Sequence, residues 1–340
     1  MAPGDAVIRA ARLAALLTAA TVTVAVPASA HAATFCDRPA EINASEQDRQ
    51  LQVVAAVRDE LDRIGGAAVL VSRSGTDLSR FKIQYSHSGI ALRDSRNGPW
   101  SVRQLYYACS ESQARLFDQG LAGFLLSAGN TAPTRMSLVA LPQNGGDRLA
   151  EAALDNRLAL ALLSPRYSAN AYTFSTRYQN CNQWVAEMMA FAWTPHAAAS
   201  SASASASASA SASASASASE SASPGAGTAI AAPTRAQAQH WLAALGYDPA
   251  PVVVPSHAIM FAAQFVPLIH TDDHPVDDLY AMRLRVSTPA ALETFARRQW
   301  PRARRVEFCA VDRRIVVRRG WEPLGADCRP GEADEVIPLI

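Results

Sequence analysis

Between residues 46 and 193 the spacing of apolar side chains changes from helical to alternating and back to helical. Leu51, Val54, Val57, Leu61 and Ile64 recur every three or four residues, which predicts a helix over 46–64. Branched and aromatic residues then dominate five runs, at 67–72, 81–92, 100–108, 115–118 and 137–141, which predicts strands. Helical spacing returns over 148–163 and 181–193.

The order of these elements indicates the fold class. A helix, a set of strands and two helices in succession favour an α+β fold with a mostly antiparallel sheet packed on helices. Asn97-Gly98 supports this prediction, because both residues tolerate the positive φ of a tight hairpin turn. The last hundred residues predict a smaller C-terminal α+β segment, with helices at 234–245 and 289–299, an apolar segment at 259–269 and strands at 280–286, 305–310 and 314–317.

Two segments of biased composition divide the chain. Arg9 and Arg12 precede the apolar run 13–26 and a stretch of small residues, so residues 1–32 are interpreted as a secretory signal peptide. An Ala/Ser-rich tract makes 198–233 a flexible linker between a domain at 33–197 and a segment at 234–340 that docks on it. The product is expected to be periplasmic or secreted, with no stable membrane anchor after cleavage of the signal.

Charge argues against a nucleic-acid partner. The chain has thirty-one Lys and Arg residues and thirty Asp and Glu residues. The resulting net charge of +1 gives no excess of cations for phosphate binding. The exception is an arginine-rich patch, interpreted as a solvated helix end and loop in preference to a nucleic-acid or phospholipid site; it consists of Arg297, Arg298, Arg302, Arg304 and Arg305. The two glycine pairs, Gly65-Gly66 and Gly145-Gly146, are not followed by the Lys-Ser/Thr of a phosphate loop, and no cofactor is predicted.

An odd number of cysteines leaves one thiol over in an oxidising compartment. The five are Cys36, Cys109, Cys181, Cys309 and Cys328. Pairing the first two and the last two as neighbours along the chain gives two disulfides and leaves Cys181 free. Other pairings also leave a single thiol, so the sequence does not fix the connectivity.

Cys181 stands at the start of a predicted amphipathic helix. Unpaired backbone N–H groups and the positive end of the helix dipole stabilise a thiolate there and can hold an oxyanion. Asn180 is expected to cap the helix, and Gln179 or Gln183 to supply a further amide donor. A lone cysteine on an apolar helix face is, however, ordinarily a small core residue.

A thiol nucleophile needs a base, and His87 is the histidine that lies between the signal and Cys181. Its small neighbours Ser88 and Gly89 allow another chain to approach the ring. A third group should orient the imidazole. Gln104, on the next predicted strand, is the first candidate, and Asp118 is the second.

The motifs Ser86-His87-Ser88-Gly89-Ile90 and Asn180-Cys181-Asn182-Gln183-Trp184-Val185 carry a resemblance. Together they resemble the circularly permuted papain-like thiol hydrolases and acyltransferases, which include relatives of NlpC-like peptidases and of lecithin-retinol acyltransferase. This resemblance implies a nucleophile at Cys181 and a base at His87. The first domain and the phrase Arg318-Arg319-Gly320-Trp321-Glu322-Pro323 also resemble an uncharacterised family of exported bacterial proteins, a domain of unknown function.

The leading hypothesis is therefore an exported Cys/His thiol hydrolase or acyltransferase acting on an amide in cell-wall peptide or on a lipid acyl ester. The alternative is a non-catalytic envelope binding module with a papain-like fold. It is favoured by the strand at 100–108, which carries no acid and no second histidine. His270 and His274 flank two aspartates, but a turn is favoured over a metal site because nothing nearby completes a ligand signature, and no metal is predicted.

Overall fold

The computed structural model describes residues 43–126, 133–194 and 233–339, which all belong to one compact unit. The predicted signal peptide, Cys36 and nearly all of the predicted linker lie outside these ranges. The helices are α1 (Ala44–Ile64), α2 (Leu121–Leu126), α3 (Gln143–Leu154), α4 (Asn156–Ala161), α5 (Cys181–Trp193), α6 (Arg235–Ala244), α7 (His257–Ala263), α8 (Val276–Tyr280) and α9 (Pro289–Gln299).

One large antiparallel sheet forms the centre of the fold. Its strands are β1 (Ala68–Arg73), β2 (His87–Leu92), β3 (Ser101–Ala108), β4 (Gln113–Gln119), β5 (Thr134–Ala140), β8 (Arg304–Val311), β9 (Arg314–Arg319) and β10 (Glu335–Pro338). They lie in the order β10-β9-β8-β5-β1-β2-β3-β4, while β6 (Val252–Val253) and β7 (Arg283–Leu284) form a separate pair. The predicted α+β class with a mostly antiparallel sheet is confirmed.

Alternation of side chains along the central strands gives the sheet two apolar faces. On the first, which we name the α5 face, Leu70, Ile90 and Leu105 pack in one cluster with side chains of α3, α5, α6 and α9. On the second, the α1 face, Val71 and Ala91 pack in another cluster with side chains of α1 and α2. Neighbouring residues of β2 therefore belong to different layers.

The chain after residue 233 supplies three strands of this sheet. β8 pairs with β5 from Arg304 to Ala310, and β9 and β10 follow outward from it. Cys309 on β8 forms a disulfide with Cys328, whose Cα atom lies 6.0 Å away. Cys109 is also disulfide-bonded, and Cys36, the partner suggested by the sequence, lies outside the described residues.

Three predicted elements have different bounds, each for a local reason. The strand expected from residue 81 begins at His87, because Ser79–Phe81 forms a 3₁₀ turn. The helix expected over 148–163 is two helices, since Asp155 ends α3 and accepts hydrogen bonds from the first amides of α4. The strand expected over 280–286 shrinks to Arg283–Leu284, because α8 extends to Tyr280.

No helix in the part of the chain that the structure describes combines the length and the apolar character needed to cross a bilayer.

Candidate functional site

Cys181 is the first residue of α5 and is held there by a cap. The Asn180 side-chain oxygen accepts a hydrogen bond from Gln183 N at 2.7 Å, and its amide nitrogen donates to Ala169 O and Ser287 O. This geometry fixes the first turn of the helix between two loops. Cys181 is 6% exposed and is a free cysteine.

The sulfur lies beside the start of β2. The ladder between β2 and β3 covers only Ile90–Leu92, so the first residues of β2 form no ladder pairs with β3. Sγ of Cys181 lies 4.0 Å from Ser86 O, and Asn182 Nδ2 donates to the same oxygen at 3.4 Å. The backbone N–H groups of Asn182, Ser88 and Cys181 lower the pKa of the thiol. Converging amides of this kind stabilise a thiolate or an oxyanion.

Gln104 fixes the tautomer of His87. His87 Nε2 hydrogen-bonds to the Gln104 amide oxygen, and Gln104 Nε2 donates to the Gln119 side-chain oxygen at 2.6 Å. Because an amide oxygen only accepts, Nε2 must carry the proton of the neutral ring. Nδ1 is therefore the ring nitrogen that has a lone pair available to take a proton.

The His87 ring and the thiol approach the sheet from different sides. The ring lies 5.8 Å from the ring of Phe124, a residue of the α1-face cluster, and 6.2 Å from the ring of Tyr106. Cys181 belongs to the α5-face cluster. Among the described residues no hydrogen bond joins Sγ to the ring.

Burial keeps both groups uncharged. Burial, and secondarily the Arg73 guanidinium, lower the pKa of His87 from 6.5 to about 3, although the bond to Gln104 opposes the shift. Burial raises the pKa of the Cys181 thiol from 9.0 to about 11, opposed by the backbone N–H groups and Arg73. At neutral pH the site therefore holds a thiol and a neutral imidazole, in contrast to a thiolate–imidazolium pair.

Arg73 is the residue that the sequence reasoning missed. It is Cα partner to His87 across the β1–β2 ladder, and its guanidinium lies 5.3 Å from the centre of the Phe124 ring that His87 also contacts. Its charge acts on both the imidazole and the thiol. The available signal was a lone arginine at the end of the apolar run of β1, a position where a buried charge calls for an explanation.

A family sequence model describing an uncharacterized protein conserved in bacteria, DUF2145, matches residues 60–296. The match covers more than half of the chain and includes Arg73, His87, Gln104 and Cys181. The chain belongs to the DUF2145 family. No curated protein and no solved structure matches it. Strands β8 to β10 follow the segment matched by the DUF2145 model.

Gln179 and Gln183 of the DUF2145 segment were expected to supply amide donors near the thiol, but their side chains form hydrogen bonds to other groups. Gln179 Nε2 donates to Leu162 O and to Glu187, and its oxygen accepts from Ser164 N. Gln183 Nε2 donates to three loop carbonyls, those of Tyr172, Thr173 and Ser175. Both side chains hold the loop before α5 in place, so the donors at Sγ are backbone amides.

Asp118 does not approach His87. Both of its carboxylate oxygens bind the Arg103 guanidinium, at 2.7 and 2.6 Å, directly across the β3–β4 ladder. This bidentate pair leaves Gln104 as the residue that contacts the ring.

The loop with His270 and His274 packs against the segment before α5. His270 stacks on Tyr178 with ring centres 4.4 Å apart, and His274 Nε2 hydrogen-bonds to Asn170 O at 2.8 Å. The two histidines thus have different partners. Across the described ranges, no group of three or more His, Cys, Asp or Glu side chains is placed to hold a metal ion.

The depressed pKa of His87 predicts a loss of stability in mild acid. Between pH 6.5 and about 3 the unfolded chain binds a proton on this ring that the folded chain does not. The stability present above pH 6.5 is therefore lost as pH falls, at up to about 1.4 kcal/mol per pH unit. Urea unfolding at pH 7.5 and 5.5 should show this decrease, and His87→Gln should reduce it.

The control for this measurement is His240→Gln, because His240 is exposed. The free energy of unfolding of this variant should have the same pH dependence as that of the unaltered protein. An unchanged dependence in His87→Gln would contradict the assignment of a buried neutral ring.

Proposed function

We propose that this protein is an exported thiol hydrolase or acyltransferase in which Cys181 is the nucleophile and His87 is the base. The substrate is an amide of cell-wall peptide or an acyl ester. The observation that carries the proposal is the position of Sγ at the start of α5. It lies 4.0 Å from Ser86 O, directly before β2, and the backbone N–H groups of Asn182, Ser88 and Cys181 lower the pKa of its thiol. The nucleophile and the candidate oxyanion donors thus lie beside the start of β2, the strand that carries the base.

The reaction follows from these positions. Sγ of Cys181 forms a bond to the carbonyl carbon as its proton passes to Nδ1 of His87. The carbonyl oxygen becomes an oxyanion, stabilised by the N–H groups of Asn182 and Ser88. The proton on Nδ1 then moves to the leaving amine or alcohol as its bond to carbon breaks. Water, or an acceptor alcohol or amine, releases the acyl group by the same steps in reverse order.

An uncharged resting pair is compatible with this chemistry when the proton moves during attack. Serine hydrolases operate in this way, since a hydroxyl of high pKa is deprotonated by a neutral histidine only as the new bond forms. The step requires the His87 ring to turn from Phe124 towards Sγ of Cys181. Gln104 Oε1, which accepts from Nε2–H, keeps Nδ1 unprotonated before the step.

The resemblance of the two motifs to permuted papain-like enzymes supports the same assignment of nucleophile and base. The signal-like residues 1–32 support a periplasmic or secreted location, in which cell-wall peptide is accessible. Acyl esters remain the second substrate class of the proposal, because the permuted arrangement is shared with acyltransferases.

A non-catalytic envelope binding module is the second candidate. It is favoured by a specific observation: the pKa of His87 is about 3 and that of the thiol about 11, and the two groups contact different layers. A base with so low a pKa gives weak proton-transfer assistance at neutral pH.

Alkylation of Cys181 separates the two candidates. With a pKa of about 11, roughly one thiol in 10⁴ is a thiolate at pH 7, so unassisted alkylation should be slow and rise about tenfold per pH unit. The proposed base predicts a rate at pH 7 above this limit, measured with iodoacetamide and peptide mapping. It also predicts that His87→Ala lowers that rate to the limit.

His240→Ala is the matched control, since it removes an exposed histidine, and it should alkylate as the unaltered protein does. A rate that follows the thiolate fraction and ignores His87→Ala would overturn the enzyme proposal and support the binding module.

A further inference from the structure

A cavity of about 600 Å³ lies at the end of the sheet away from Cys181. Its wall combines the end of α1, the start of α3 and the arginines Arg93, Arg302 and Arg304. The volume is that of a small-molecule site and exceeds what a single ion needs. The cavity adjoins Arg93, which follows β2, whereas Sγ of Cys181 contacts Ser86, before β2 begins. Six strand residues, roughly 20 Å, separate them.

The five arginines of the patch that the sequence suggested have different environments in the structure. Arg305 is buried in ion pairs with Glu293 and Glu307, Arg297 lies over the Trp321 ring, and Arg298 donates to Gly246 O. Arg302 and Arg304 are exposed and line the cavity. The patch is therefore not one solvated surface, because two of its members lie at a concave site.

The charges around the cavity do not balance. Asp147 is an acidic residue of its wall, and it interacts with Arg93, which also binds Asp94. Neither Arg302 nor Arg304 has an ion-pair partner within the described part of the chain. Two guanidinium groups thus face the cavity without a carboxylate to offset them, and planar guanidinium groups match the oxygen geometry of phosphate.

The start of α3 adds donors on the same wall. Pro142 precedes the helix and supplies no side-chain hydrogen bond to it, so the first amides of α3 have no side-chain cap. Both Pro142 and Gln143 line the cavity. The amides and the positive end of this twelve-residue helix add to the attraction for an anion.

We propose that this cavity binds a phosphorylated small molecule, with Arg302 and Arg304 contacting the phosphate group. The proposal stands apart from the thiol chemistry, because it uses neither Cys181 nor His87. A free phosphorylated compound and a phospholipid headgroup share this chemistry, and the experiment below distinguishes them.

Isothermal titration of the purified protein with pyrophosphate at low salt tests the site. Saturable binding is expected, and the double variant Arg302→Ala/Arg304→Ala should weaken it by at least about tenfold. Both side chains are exposed, so the melting temperature should stay unchanged. The control Arg313→Ala/Arg329→Ala removes the same charge from two exposed arginines elsewhere and should bind as the unaltered protein does.

Cosedimentation with vesicles containing phosphatidylglycerol identifies the source of the phosphate. Vesicle binding that needs Arg302 and Arg304 supports a lipid headgroup, and pyrophosphate binding alone that needs them supports a soluble compound. The absence of saturable binding, or an equal loss in the control, would overturn the proposal. Alkylation of Cys181 in the double variant should not change, which separates this test from that of the thiol chemistry.

Discussion

Cys181→Ala is expected to abolish turnover of activated esters, lowering the rate by at least about a thousandfold. The variant removes the sulfur that forms the acyl bond and leaves the backbone amides around it in place. Hydrolysis of p-nitrophenyl esters of short and long acyl chains measures the rate. Mass spectrometry of the protein should show an added acyl group that the variant lacks.

The fold should tolerate this change, because alanine removes one buried atom and no hydrogen bond that the helix needs. A stability loss of about 1 kcal/mol is expected from urea unfolding. Cys181→Ser is the matched comparison, since it keeps a weaker nucleophile at the same position. Ester turnover by a folded Cys181→Ala protein at the original rate would refute the assignment of the nucleophile.

Arg235→Ala is expected to destabilise the protein by about 3–5 kcal/mol. Glu187 on α5 is fully buried, and Arg235 on α6 binds both of its carboxylate oxygens at 2.9 Å. Burial raises the pKa of Glu187, and Arg235 provides the largest opposing effect. Removal of the guanidinium leaves a buried carboxylate without its counter-charge and also frees the carbonyl oxygens of Thr176 and Tyr178.

Urea unfolding at pH 7.5 measures this loss, with Arg177→Ala as control. Arg177 pairs with Asp272 where both side chains are about half exposed, so that variant should lose less than about 1 kcal/mol. The double variant Glu187→Gln/Arg235→Met should recover part of the stability, because it removes both charges. Equal losses for Arg235→Ala and Arg177→Ala would show that the buried pair contributes no more to the free energy of unfolding than the exposed pair does.

The sequence predicted the elements that carry the candidate site. Helical spacing of apolar residues located α1 and α5, and branched residues located β2 and β3, because both periodicities arise from local backbone geometry. The position of Cys181 at a helix start followed from Asn180, whose side chain caps the helix. Gln104 as the neighbour of His87 followed from the antiparallel pairing of strands that are adjacent along the chain.

Other features depend on contacts between residues far apart in sequence. Alternation along β2 shows that His87 and Ser88 point to opposite faces, but not which helices cover each face. Only the folded chain shows that α5 covers the Ser88 side while Phe124 covers the His87 ring. The pairing of β8 with β5, across more than 150 residues, likewise has no local signal.

The effect of the buried charged residues also depends on the tertiary structure and has no local signal in the sequence. Arg73, Glu187 and Arg235 are ordinary charged residues in the sequence, and only burial gives them their effect on pKa and stability. Local patterns thus determined the secondary structure and the residue types of the site. They left a free thiol at Cys181 as the result of one of several possible cysteine pairings. The tertiary structure decided the faces, the burial and the charges, because desolvation and long-range pairing arise only when the layers pack together.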